Sequence, residues 1–163
     1  MNDGLPETIV VAAREGRDEP CPPRVVALGI GCERGCSAAE IAALANATLA
    51  EAGLMPGAVA AVVSIELKRA EPGVLALATA LGVPAHFFTA SRLLAETGRL
   101  SQRSAAVFRA TGCWGVAEAA ALAACGNDGI LVVPKRRSRR ATCAVARASQ
   151  PIDTAALRWH CPR

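Results

Sequence analysis

Aromatic side chains are scarce in this chain: three phenylalanines, two tryptophans and no tyrosine among 163 residues. That removes the stacking platforms on which single-strand nucleic-acid binders hold bases. Lysine is scarcer still, with Lys68 and Lys135 the only two against sixteen arginines. There is no uninterrupted apolar run long enough to cross a bilayer, because the 52% hydrophobic content is spread through alanine and valine. The first twenty residues hold Glu7, Arg14, Glu15, Arg17, Asp18 and Glu19 and no secretory apolar region. A soluble, cytoplasmic protein with neither a membrane nor a nucleic-acid partner is expected. Seven cysteines, odd in number and irregularly spaced, do not make a disulfide framework. The formal charge of +4 is modest, and the length suits one domain with a single sizeable core.

What is present is organised around residues 24–51, RVVALGIGCERGCSAAEIAALANATLAE. Val25, Val26, Ala27, Leu28 and Ile30 form the apolar run of a strand covered on both faces. Gly29, Gly31 and Gly35 then permit positive φ or close approach of a ligand. Ser37 with Glu40 forms a capping box, and Ile41, Leu44, Ala45, Thr48, Leu49 and Ala52 share one helical face before Gly53 ends it. A glycine turn feeding a helix start offers free N–H groups to an anion. Familiar phosphate motifs fail on spacing. A dinucleotide fingerprint would need glycine where Arg34 stands, and a P-loop would need lysine where Cys36 stands. The turn is therefore either a carboxylate or phosphate cradle or simply a tight turn. Cys32 and Cys36 lack the third cysteine of an iron–sulfur site, since Ala39 occupies its place. They read as buried or rim thiols, and neither a metal nor a cofactor is expected.

The rest of the chain alternates strands and helices. Residues 58–66 are expected as a second strand, 84–89 as a third, and 130–135 and 142–147 as a closing hairpin. Helices are expected from Pro72 to Gly82, in two short pieces between 91 and 110 broken near Gly98, and over 115–125. The pattern gives a three-layer α/β/α domain with a mixed, mostly parallel sheet closed by a C-terminal hairpin. That domain spans 24–148, between a flexible N-terminal tail over 1–23 and a C-terminal tail over 149–163. Within the first tail, 8–13 has some strand character. Trp159 and His160 in the second show no clear pattern.

Three further stretches carry chemistry. On an extended strand Ser64, Glu66 and Lys68 point to one side, with Glu71 in reach around the turn. Such a polar strand end in an open α/β sheet is where ligands gather, although an exposed Glu66–Lys68 pair would look the same. Thr111 and Gly112 lead through Gly115 into another helix, whose Glu118 is placed to cap its own N-terminus. Lys135, Arg136, Arg137, Arg139 and Arg140 put five positive charges into six positions, as a solvated loop, a polycarboxylate clamp or a nucleic-acid patch. His86 reads as a half-buried strand residue. Cys113, Cys125, Cys143 and Cys161 read as small apolar residues.

Four blocks, LGIGCERGCSAAEI, SIELKRAEPGVLALATALGVPAHFF, TGCWGVAEAAAL and LVVPKRRSRRATCAVAR, together span about residues 24–147. In order and spacing they resemble the CobE/CbiG C-terminal domain family of cobalamin biosynthesis. Only 23 residues precede the glycine turn, which is similar to the family's stand-alone form rather than to members with further domains before this one. The resemblance implies a part in building the corrin ring. The partners it implies are a precorrin-type tetrapyrrole intermediate and other enzymes of that pathway. These intermediates are flat and edged with acetate and propionate, so the ligand-binding set would be the glycine turns with Arg34, Lys68 and Lys135 as a cationic rim. Three functions follow, in order of preference. The first is a tetrapyrrole carrier or accessory to ring contraction and later steps. The second is a lactone hydrolase in which Glu66 or Glu71 activates water. The last is a basic nucleic-acid-binding module.

Overall fold

The structure is a computed structural model and describes residues 23–157. Five strands form one sheet: β1 (Val26–Cys32), β2 (Val59–Ile65), β3 (Ala85–Phe88), β4 (Ile130–Arg137) and β5 (Ala141–Arg147), in the order β3-β2-β1-β5-β4. β1 runs parallel to β2, and β2 to β3, while β5 lies antiparallel to both β1 and β4. Four strands therefore point the same way and only β5 opposes them. The expected mixed α/β sheet is present. Its hairpin forms one edge, so the sheet is open and not closed.

The helices are α1 (Ala38–Glu51), α2 (Pro72–Leu81), α3 (Ala90–Leu94), α4 (Ala105–Thr111) and α5 (Val116–Cys125). α1 and α2 cover one face, where Ile41, Leu49, Val74 and Leu77 meet Leu28, Ile30, Val62 and Val145. α5 covers the other with every residue buried, against Ala27, Ala61, Val63 and Ala146. Burial on both sides is why β1 and β2 read as unbroken apolar runs. α5 lies very close to the sheet: a Cβ on Gly29 would stand 1.8 Å from the Ala117 carbonyl oxygen. Gly29 thus serves helix–sheet packing, and the expectation that it belongs to the ligand turn is corrected.

Helix ends follow their local chemistry. Pro72 opens α2, and Gly82, at φ +67°, closes it in the left-handed region. Ser37 Oγ accepts the Glu40 N–H at 3.1 Å, the first half of the expected capping box. The second half is absent, because the Glu40 carboxylate is drawn to distant partners described below. Two strand ends also differ from expectation. β2 stops at Ile65 and a single 3₁₀ turn, Glu66–Lys68, follows. β4 instead continues through Arg137, so half of the expected basic loop is strand.

After β5, the Ile152 N–H donates to the Arg24 carbonyl at 3.0 Å, and Ile152 and Leu157 pack on the α5 face. The expected strand over 8–13, and Trp159, His160 and Cys161, lie outside the described residues. Among the described residues, no helix is long and apolar enough to cross a membrane.

Candidate functional site

The chain lays β2 and β3 to one side of β1 and the β4–β5 hairpin to the other. Loops leaving the carboxyl end of β1 therefore diverge, and an open α/β sheet forms a crevice there. The crevice found at this point has a volume of about 770 Å³. Its walls are the turn after β1, the end of β2, helix α4, the start of α5 and the hairpin tip.

The turn over 33–37 is held from two directions. Gly35 sits at φ +75°, where a side chain would be strained. Its N–H donates to Glu71 Oε2 at 3.2 Å. The anion at this glycine turn is thus the protein's own carboxylate, reaching across from the start of α2. From the other side the hairpin tip is laced to the turn. The Glu33 N–H donates to the Arg140 carbonyl at 2.9 Å, and the Arg140 guanidinium reaches Glu33 Oε2 at 3.1 Å and the Arg34 carbonyl at 2.9 Å. Glu40 Oε2 accepts the Ser138 hydroxyl at 2.6 Å and the Arg140 N–H at 2.7 Å. These two donors hold the Glu40 carboxyl below its ordinary pKa. The turn and the tip form one braced wall.

Charge in the crevice is one-sided. Arg34, Lys68, Lys135, Arg137, Arg139 and Arg140 line it, against Glu33 and Glu71. Strand alternation sorts the basic run: Arg136 turns away from the crevice to pair with Glu51 at the end of α1, its Nε donating at 2.9 Å and 3.1 Å. Much of the remaining lining is uncharged, with Ala106, Val107 and Ala110 on α4 together with Val116 and Leu67. Leu67 is 62% exposed, a large apolar side chain left at the mouth. Cys32 lines the same space, and burial pushes its thiol up to about 11, with Lys68 pulling weakly the other way.

The crevice gathers Gly31, Cys32, Arg34, Lys68, Glu71, Thr111, Gly115 and Lys135 from the expected set. Gly35 and Ser37 shape its wall from behind. Others are not brought in. The shared side of Ser64, Glu66 and Lys68 is corrected, because the 3₁₀ turn breaks strand alternation after Ile65. Ser64 is fully buried, its hydroxyl donating at 2.6 Å to the Ile30 carbonyl just past the last β1–β2 pair, Gly29 with Val63. Glu66 lies outside the crevice, 3.9 Å from Arg69. Gly112 closes α4 at φ +85°. Glu118 does not cap its own helix: its carboxylate accepts the N–H groups of Ser101 and Lys135, both at 3.0 Å. Leu67 and the α4 wall were not anticipated. The small residues of α4 recur at helical spacing, but nothing local says which cavity they face.

The profile of the cobalamin synthesis G C-terminus family matches residues 26–146. This chain belongs to that family. The resemblance carried by the four sequence blocks is borne out, and the chain stands among cobalamin-biosynthesis proteins. Protein CobE of Sinorhizobium sp is 47% identical over 119 residues, 73% of this chain and 77% of that protein. The crystal structure of CobE, from the cobalamin (vitamin B12) biosynthetic pathway, superposes with a TM-score of 0.72 at 44% identity. It covers 79% of this chain and 93% of that one. A cobalt-precorrin-5A hydrolase of Priestia megaterium is 39% identical over 124 residues, 76% of this chain. The match covers only 32% of that hydrolase.

Proposed function

We propose that the crevice binds a flat, carboxylate-edged tetrapyrrole of corrin synthesis, with the protein acting as a carrier or accessory to ring contraction and later steps. The observation that carries this reading is six cationic side chains and an uncharged surface lining one crevice of about 770 Å³. A macrocycle of this kind needs apolar contact for its face and charge-assisted hydrogen bonds for its rim. The crevice offers both, at the sheet end where such sites form. The family's place in cobalamin biosynthesis supplies the ligand class.

A hydrolytic reading has one observation in its favour. Of the two carboxylates considered as a base, Glu71 lines the crevice and is only 8% exposed, while Glu66 is outside it. Its carboxylate is already engaged by Gly35, so binding without bond cleavage is preferred. Recovery of the bound tetrapyrrole with unchanged mass supports the carrier. A hydrolysis product that disappears in Glu71→Gln would replace that reading with the enzyme.

Lys68 provides the test of the site. It is half-buried just beyond the end of β2. Lys68→Ala should leave the melting curve within about 0.5 kcal/mol, as a surface substitution does. Losing a charge-assisted hydrogen bond should cost about 1.5–3 kcal/mol in tetrapyrrole binding, roughly tenfold or more in Kd. Lys68→Arg should also bind less well, because a planar fork does not replace a point charge. Parent-like affinity in Lys68→Ala would place the ligand elsewhere.

A further inference from the structure

Glu118 does not line the crevice, yet its carboxylate is held by segments on two sides of it. It lies in the first turn of α5 with 1% of its surface exposed. A carboxylate so deep is costly unless donors surround it. Four do, and none comes from its own helix. Oε1 accepts the N–H groups of Ser101 at 3.0 Å and Gln102 at 3.4 Å. Oε2 accepts the Ser101 hydroxyl and, at 3.0 Å, the Lys135 N–H.

Those donors belong to the two halves of the crevice. Ser101 and Gln102 begin the excursion over 101–115 that carries α4. Its ends are tied where the Ser104 N–H donates to the Trp114 carbonyl at 2.9 Å, and Phe108 stacks on Trp114 with ring centroids 4.4 Å apart. No residue of α4 itself is buried, so its uncharged wall stands on this base. Lys135 belongs to the cationic half. The β4–β5 register slips between Val133 and Arg136, leaving Pro134 and Lys135 in an irregular stretch. Proline has no N–H to give, and the Lys135 N–H goes to Glu118. Bulges of this kind re-aim side chains, and a one-residue slip would carry Lys135 to the opposite face of the sheet.

We infer that Glu118 is a positioning residue: by holding the β4 irregularity and the base of the α4 excursion on one carboxylate, it fixes where Lys135 presents its charge in the crevice that α4 also lines. The inference rests on the tetrapyrrole-binding reading and names what orders that site. Glutamate is required because a carboxylate accepts from all four donors. The amide of glutamine has a single acceptor oxygen and would set its NH₂ group against an N–H.

The test is a double-mutant cycle read by binding of uroporphyrin, a tetrapyrrole edged with acetate and propionate. Absorbance titrations are run on the parent, Glu118→Gln, Lys135→Ala and the double variant, with melting curves for each. Glu118→Gln should weaken binding roughly tenfold, and most of that loss should vanish in the Lys135→Ala background, as coupled residues require. Ser101→Ala keeps the question answerable should Glu118→Gln fail to fold, since Ser101 is exposed and only one donor is removed. It should weaken parent binding a few fold and change Lys135→Ala little. Losses that multiply independently of Lys135, or variants that melt lower yet bind as the parent, would overturn the positioning role and leave the binding reading standing. A parent that takes up no uroporphyrin would overturn both.

Discussion

Cys32 is the only free cysteine among the described residues that is not buried, and it opens into the crevice. With its pKa raised to about 11, the thiolate at pH 7.5 is roughly one thiol in a few thousand. Alkylation by iodoacetamide, followed on the Cys32 peptide by mass spectrometry, should be slow at neutral pH. It should rise about tenfold per pH unit towards 11, and bound tetrapyrrole should slow it further. Rapid labelling at pH 7.5 would contradict the raised pKa; labelling indifferent to ligand would contradict the site. At this scale the sequence was legible where a residue acts on its neighbours, as Pro72, Gly82 and Ser37 do. Ser64 was not, because its partner, Ile30, is 34 residues away and alternation along a strand is silent about where the strand ends.

The hairpin shows the same limit in a whole element. Five positive charges in six positions read equally as loop, clamp or nucleic-acid patch. Once β4 is seen to run to Arg137, alternation separates Arg136, which pairs with Glu51, from Lys135 and Arg137, which line the crevice. Arg137→Ser with Arg139→Ser should therefore weaken uroporphyrin binding about tenfold or more, as two charge-assisted contacts are lost. Arg136→Ser should leave it within a few fold. Equal losses in the two variants, measured by the same titration, would mean that a diffuse basic field and not the crevice holds the ligand. Glu40 illustrates why the tip was hard to read. Its spacing from Ser37 fits a capping box, but Ser138 and Arg140, 98 and 100 residues on, win its carboxylate. Only the folded sheet brings them together.

For the molecule as a whole, alternating strands and helices dictated the α/β class, and the apolar run of β1 foretold cover on both its faces. The crevice position follows from strand order, with β1 between two diverging sets of loops, and strand order is a long-range property. The apolar wall of α4 was least legible, because a short helix with no buried residue carries little pattern. What the assembled site adds is a set of cationic side chains and an uncharged surface lining one crevice, the two features that the proposed flat polyanion would need. Attraction between carboxylates and exposed cations is screened by salt, with a Debye length near 10 Å at 0.1 M and about 3 Å at 1 M. The most direct measurement is gel filtration of the protein with a precorrin-type intermediate over a series of salt concentrations, reading visible absorbance across the protein peak. The expected result is co-elution at low salt that declines steadily as salt rises. An intermediate that emerges wholly with the free small molecules at low salt would contradict tetrapyrrole binding, and co-elution insensitive to salt would contradict the cationic rim.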